Sequence, residues 1–128
     1  MLREKLLFEF NYHTELGVMQ VDVVGAWTVE EARRYGREAG QHFQHAREQS
    51  GRLRLLLNLM QNQLMTQDVI VSLTRSGTKN GQPDDIIAIA VGSPELDLQL
   101  RRMFGERNAT MFGSVENALD WLRDQGRE

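Results

Sequence analysis

RLRLLLNLM, residues 52–60, is the stretch that decides the fold. From Leu53 to Met60 only Arg54 and Asn58 interrupt the apolar run. A strand with one wet face alternates apolar and polar side chains, so a continuous run reads as a strand covered on both faces. IIAIAV, residues 86–91, repeats the signature. The segment between the two has helical spacing, and a helix between two strands implies a parallel pair. That helix starts at Thr66 or Gln67, runs through Val69, Ile70 and Leu73, and is expected to end near Gly77. Residues 76–85, SGTKNGQPDD, are dense in turn formers and read as the one clear loop. Leu55, Leu57, Ile87, Ile89 and Val91 are expected in the core.

The same logic extends in both directions. Downstream, Ser93 and Pro94 open a helix as N-cap and first helical residue, with Glu95 in the first turn. Leu96, Leu100, Met103 and Phe104 form its apolar face, and Gly105 stops it. A short strand at residues 109–112 and a helix capped by Ser114 follow, with Val115, Ala118, Leu119 and Leu122 inward. Upstream, Phe8, Phe10 and Tyr12 alternate with Leu7, Glu9 and Asn11, and residues 13–17 form a turn. Met19, Val21 and Val23 share one face of the next strand, which Gly25 ends. Thr28 and Glu31 form a capping box before a long helix with Val29, Ala32, Tyr35 or Gly36, Ala39, Phe43 and Ala46 on one face, stopped at Ser50-Gly51. The expected fold is α/β, in the order β-β-α-β-α-β-α-β-α. It is a mostly parallel five-stranded sheet with an N-terminal antiparallel hairpin, in a single domain spanning residues 1–128 with its core at about 7–123.

Composition narrows the function. The chain has 128 residues, a net charge of −3 and no cysteine. Disulfides, a thiol nucleophile and cysteine-ligated metals are therefore excluded. No apolar run is long enough to span a membrane, and the N-terminal residues do not read as a signal peptide, so a cytoplasmic protein is expected. The mild acidity gives no support to nucleic-acid binding.

Four segments resemble the STAS domains, the anti-sigma-factor-antagonist or SpoIIAA-like group of bacterial regulatory modules. VMQVDVVGAWTVEE (18–31) resembles their strand–glycine–helix opening, and RLRLLLNLM their central strand, with Asn58-Leu59-Met60 where Asp-Leu-Ser is common. IAIAVGSPELDLQLRRMF (87–104) and ATMFGSVENALDWL (109–122) resemble the last two strand–helix units, the latter through Phe112, Ala118, Trp121 and Leu122. The resemblance implies a SpoIIAA-like fold and a non-enzymatic role. It does not carry a phosphorylation switch: the family's Asp-Ser-Ser/Thr-Gly motif is replaced by LMTQDV (64–69). No phosphosite is therefore expected at Thr66.

Other chemistry finds little foothold. His42 and His45 lie three apart on the first long helix but lack a third ligand, so no metal or cofactor is expected. Ser50, Ser93 and Ser114 serve as helix boundaries, and no serine sits in G-x-S-x-G. Asp84-Asp85 read as turn residues, and the loop at Gly77 to Gly81 as a mobile surface loop lacking the phosphate-loop order. Arg33, Arg34, Arg37, Arg101 and Arg102 read as solvated faces paired with glutamates.

The least ordinary stretch is LMQNQLMTQD, residues 59–68, uncharged until Asp68 and placed at the carboxyl edge of a parallel sheet. Asn58, Met60, Gln61, Asn62, Leu64, Met65 and Thr66, with Trp27, Gly92 and Ser93 beside them, form the candidate binding edge. The same Leu64 and Met65 also suit a core plug, and Trp27 a core tryptophan. The expected function is a protein-interaction or regulatory module that binds a protein partner or a second copy of the chain as a homodimer. The alternative is a carrier or sensor of a small apolar ligand, with a pocket at the carboxyl edge of the sheet, between that edge and the second helix. A pocket of a few hundred cubic ångströms lined by Trp27, Met60 and Met65 favours the ligand, and a flat apolar patch favours the protein partner.

Overall fold

The computed structural model describes residues 8–25, 27–62, 64–105 and 109–125. Leu7 and Gln63, assigned above to the first strand and to the 59–68 stretch, lie outside them. Strands β1 (Phe8–His13), β2 (Val18–Val24), β3 (Arg54–Gln61), β4 (Ile86–Val91) and β5 (Ala109–Phe112) form one sheet in sequence order. β1 and β2 are antiparallel, and the remaining pairs are parallel. Helices α1 (Val29–Ser50), α2 (Gln67–Asn80) and α3 (Pro94–Phe104) follow β2, β3 and β4, and α4 (Val115–Gln125) follows β5. Among the described residues no helix is long and apolar enough to cross a membrane.

The register sorts the core into two layers. Leu55, Leu59, Ile89 and Val91 pack with Met19, Val21, Val23 and the α1 and α3 residues Ala39, Phe43, Leu96 and Leu100. Leu56, Ala88 and Ala90 face the other way, onto Ala118 and Leu122 of α4. β3 is the middle strand and is apolar on both faces because each face has a helical cover.

Local chemistry sets most helix ends. Thr28 accepts a hydrogen bond from the Glu31 amide at 3.1 Å, and Ser93 one from Leu96 at 3.2 Å. The reciprocal half of the Thr28 box is not made among the described residues: the Glu31 carboxylate pairs with Arg34 at 2.9 Å instead. Gly51, at φ 86°, ends α1 in the left-handed conformation that glycine adopts without strain.

α2 departs from expectation. It does not end near Gly77 but continues to Asn80, so the mobile loop read at Gly77 to Gly81 is largely helical. The reason is tertiary. α2 packs along α1, and Gly36 lets the two helices touch: a Cβ there would fall 2.8 Å from Ser76 Oγ. Asn80 then donates to the Gly36 carbonyl at 3.0 Å. Those contacts outweigh the turn preference of Gly77 and Asn80.

Candidate functional site

α2 is the helix that connects the two central strands, yet it packs on α1 and α3 rather than down onto the sheet. Polar clasps fix it at both ends. At its N-terminal side the Gln99 side chain of α3 accepts from the Met65 amide at 2.9 Å and donates to the Met65 carbonyl at 2.8 Å. At its C-terminal end Arg47 of α1 donates to the Asn80 carbonyl at 2.8 Å. Arg47 also pairs with Asp85 at 2.8 Å, and Asp85 accepts from the Gln82 amide at 2.8 Å. This pair is nearly closed to solvent, the side chains being 11% and 5% exposed. Asp85 is thus an anchor for the α2–β4 connection and not a surface turn residue.

Beneath α2 the helix has little to fill the space: Leu73 points the right way, but its neighbours there are Ser76, Gly77 and Asn80. The result is a cavity of about 540 Å³ between α2, the α1–α3 layer and the sheet. Its floor is Leu55, Leu57, Leu59 and Ile87, and its far wall includes Trp27, Tyr35, Met65 and Met103. Leu57 and Ile87, expected in the core, are accordingly only half-buried. The cause is the missing apolar underside of α2, not a change in strand register.

The polar groups divide by position. Ser76, Thr78, Asn80, Gln82 and Asp85 line the end at the α2 C-terminus. The other end is aromatic. Phe8 stacks on Trp27 with ring centroids 5.9 Å apart, and Tyr35 meets the Trp27 ring edge-on at 5.4 Å. Burial among these rings pushes the Tyr35 hydroxyl pKa well above its ordinary value of 10.0. That hydroxyl has no hydrogen-bond partner among the described residues, and the buried Trp27 Nε1 has none either.

The ten candidate residues do not gather into one edge. Trp27 and Met65 line the cavity. Met60 faces the opposite side of the sheet and packs with the α4 layer. Asn58 is internal, donating to Asp22 at 2.8 Å. Asn62 is 3% exposed and donates to the Gly25 carbonyl at 2.9 Å, tying the end of β3 to the exit of β2. Thr66 and Ser93 are helix caps. Gly92 is exposed beside Met60, and Gln61 is exposed at the end of β3. Leu64 stands apart at 61% exposure.

The remaining sequence candidates have local roles. His42 stacks on Phe10 with centroids 4.2 Å apart, and His45 meets Tyr12 edge-on. Arg34 bridges Glu31 and Glu38, and Arg101 pairs with Asp97. Arg33 and Arg37 have no carboxylate partner among the described residues, contrary to the paired face expected for them. Sequence reasoning missed Arg47 and Gln99 altogether, and it read Tyr35 only as a helix-face residue and Asp85 only as a turn residue. Arg47 meets Asp85, and Gln99 meets Met65, across 34 or more residues, and no local pattern marks such contacts.

No family model matches the sequence, and no curated protein matches it. Among solved structures the chain is similar to an uncharacterized protein of the DUF3478 family with a SpoIIAA-like fold, from Shewanella loihica PV-4. The two are 16% identical with a TM-score of 0.67, over 95% of this chain and 99% of that one. With the strand order, the single antiparallel pair and the four helices all in place, the chain has the SpoIIAA-like fold that its sequence resemblance implied.

Proposed function

We propose that this protein is a non-enzymatic binding module whose cavity beneath α2 holds a small apolar molecule carrying a hydrogen-bond acceptor. The observation that carries the reading is the cavity of about 540 Å³, floored by leucines of the central strand. Ligand sites of small molecules fall between about 300 and 1,000 Å³ and are lined mainly by apolar and aromatic groups. Water is a poor occupant of an apolar floor, since it finds few partners there. The Tyr35 hydroxyl, which has no hydrogen-bond partner among the described residues, adds a donor at the aromatic end. A donor held among aromatic rings is normally satisfied, so an acceptor on the ligand completes it. The absence of a nucleophile elbow and of a phosphate loop from the sequence supports binding over turnover.

The two tryptophans make the test direct, because Trp121 packs against Phe112 on the other face of the sheet. In a Trp121→Phe background, titration with decanoate is expected to change Trp27 fluorescence saturably. Ile87→Phe, which fills the floor, is expected to abolish that change while the protein stays folded. A linear, unsaturable response, or one that Ile87→Phe leaves intact, refutes the reading. A protein-partner reading keeps one specific support in the exposure of Leu64.

A further inference from the structure

On the outer surface, where α1 and α2 lie side by side, a second depression of about 560 Å³ runs between them. It is more polar than the cavity, though Val29, Ala32 and Val71 also line it, and it stands independently of the function proposed for that cavity. Arg33 and Arg37 line it from α1, and Arg75 and Lys79 from α2. Members of each pair are four residues apart, so they rise about 6 Å along their helix and share a face. Asp68 is the one acidic residue lining the groove among the described residues.

This concentration of positive charge is unusual for a chain of net charge −3. Other arginines have found carboxylates: Arg34 with Glu31, Arg47 with Asp85, Arg101 with Asp97 and Arg123 with Asp120. The four groove cations have no ion-pair partner among the described residues. Like charges one helical turn apart repel each other, and here two such pairs face one another across a groove. Small residues, Gly36, Ser72 and Ser76, lie among them. Gly36 contributes no side chain, and the Ser72 hydroxyl has no hydrogen-bond partner among the described residues.

We propose that this groove binds a soluble anion bearing two or more linked phosphate groups, an inorganic polyphosphate or an organic diphosphate. Linked phosphates concentrate several negative charges within the span of one helical turn, matching two cations on each wall. Three of the four cations are arginines, whose planar forks fit phosphate oxygens with paired hydrogen bonds. Ser72 adds a donor in the groove. An acidic peptide spreads its charge along a backbone of about 3.3 Å per residue, and needs a longer track than two cations per wall provide.

The test is calorimetric titration of the full chain with inorganic tripolyphosphate at low ionic strength, beside the double variant Arg37→Gln/Arg75→Gln. Both side chains are exposed, so the variant is expected to melt with the parent. Saturable binding that falls about tenfold or more in the variant, and weakens as sodium chloride is added, supports the proposal. Undetectable binding at millimolar tripolyphosphate overturns it, and so does binding that the variant leaves unchanged. A glutamate-rich peptide that binds more tightly than tripolyphosphate overturns it in favour of a protein-docking groove. Co-sedimentation with phosphatidylinositol-bisphosphate vesicles, without binding of tripolyphosphate, overturns it in favour of a membrane headgroup.

Discussion

Tyr35 shows how one buried phenol links folding to pH. Its pKa is raised by burial, so the folded chain holds a proton that the unfolded chain releases above about pH 10. The stability contributed by the neutral phenol is complete below that pH and falls as pH climbs beyond it. Thermal melts between neutral pH and the alkaline limit are expected to show this decline, and Tyr35→Phe is expected to flatten it. Equal alkaline loss in both proteins removes Tyr35 from the explanation. Asp85 is a second residue with a large effect, because its carboxylate is closed off together with Arg47. Breaking such a pair leaves one charge buried and alone, at a cost of about 3–5 kcal/mol. Denaturant unfolding of Arg47→Met is expected to show a loss of that size. Arg47→Met/Asp85→Leu is expected to recover part of it, since no lone charge remains.

The elements differ in how openly the sequence declares them. Thr28, Gly51 and the Ser93-Pro94 pair mark helix ends by local hydrogen bonding and allowed backbone angles, and these ends are where the sequence places them. The strand faces follow from alternation, and β3 from its lack of it. α2 resisted such reading because its last turn is held by Gly36 and Arg47 of another helix, which no window around Gly77 contains. The cavity was legible only in part: Trp27 and Met65 were expected to line a pocket and do, but its extent arises from where α2 is clasped, and Leu57 has the same sequence character as the buried Leu55. A pair of truncations separates the two environments. Leu56→Ala, in the closed α4 layer, is expected to cost about 2–5 kcal/mol. Leu57→Ala, beside empty space, is expected to cost about 1–2 kcal/mol, since fewer contacts are lost. Equal losses in chemical denaturation argue that α2 sits down on the sheet in solution.

For the whole molecule the question is what it meets. Leu64 is 61% exposed, and the glutamate substitution discriminates between a free surface and an interface. Leu64→Glu is expected to shift unfolding free energy by no more than about 0.5 kcal/mol, as exposed substitutions do. If a second copy of the chain docks there, sedimentation velocity is expected to show a dimer in the parent and a monomer in the variant, through a two-fold contact. Identical sedimentation of the two proteins removes self-association at this point. A different consequence lies in the order of the sheet. Every strand hydrogen-bonds to its neighbour in sequence, so no pairing has to close more than one turn or one helical crossover. The exception is α4, which covers Leu56, Ala88 and Ala90 from the far end of the chain. During synthesis, then, the hairpin and the first parallel pairs are able to assemble as they emerge. One greasy side of that growing sheet stays bare until α4 arrives, and it is there that a nascent or truncated chain is expected to call on chaperones.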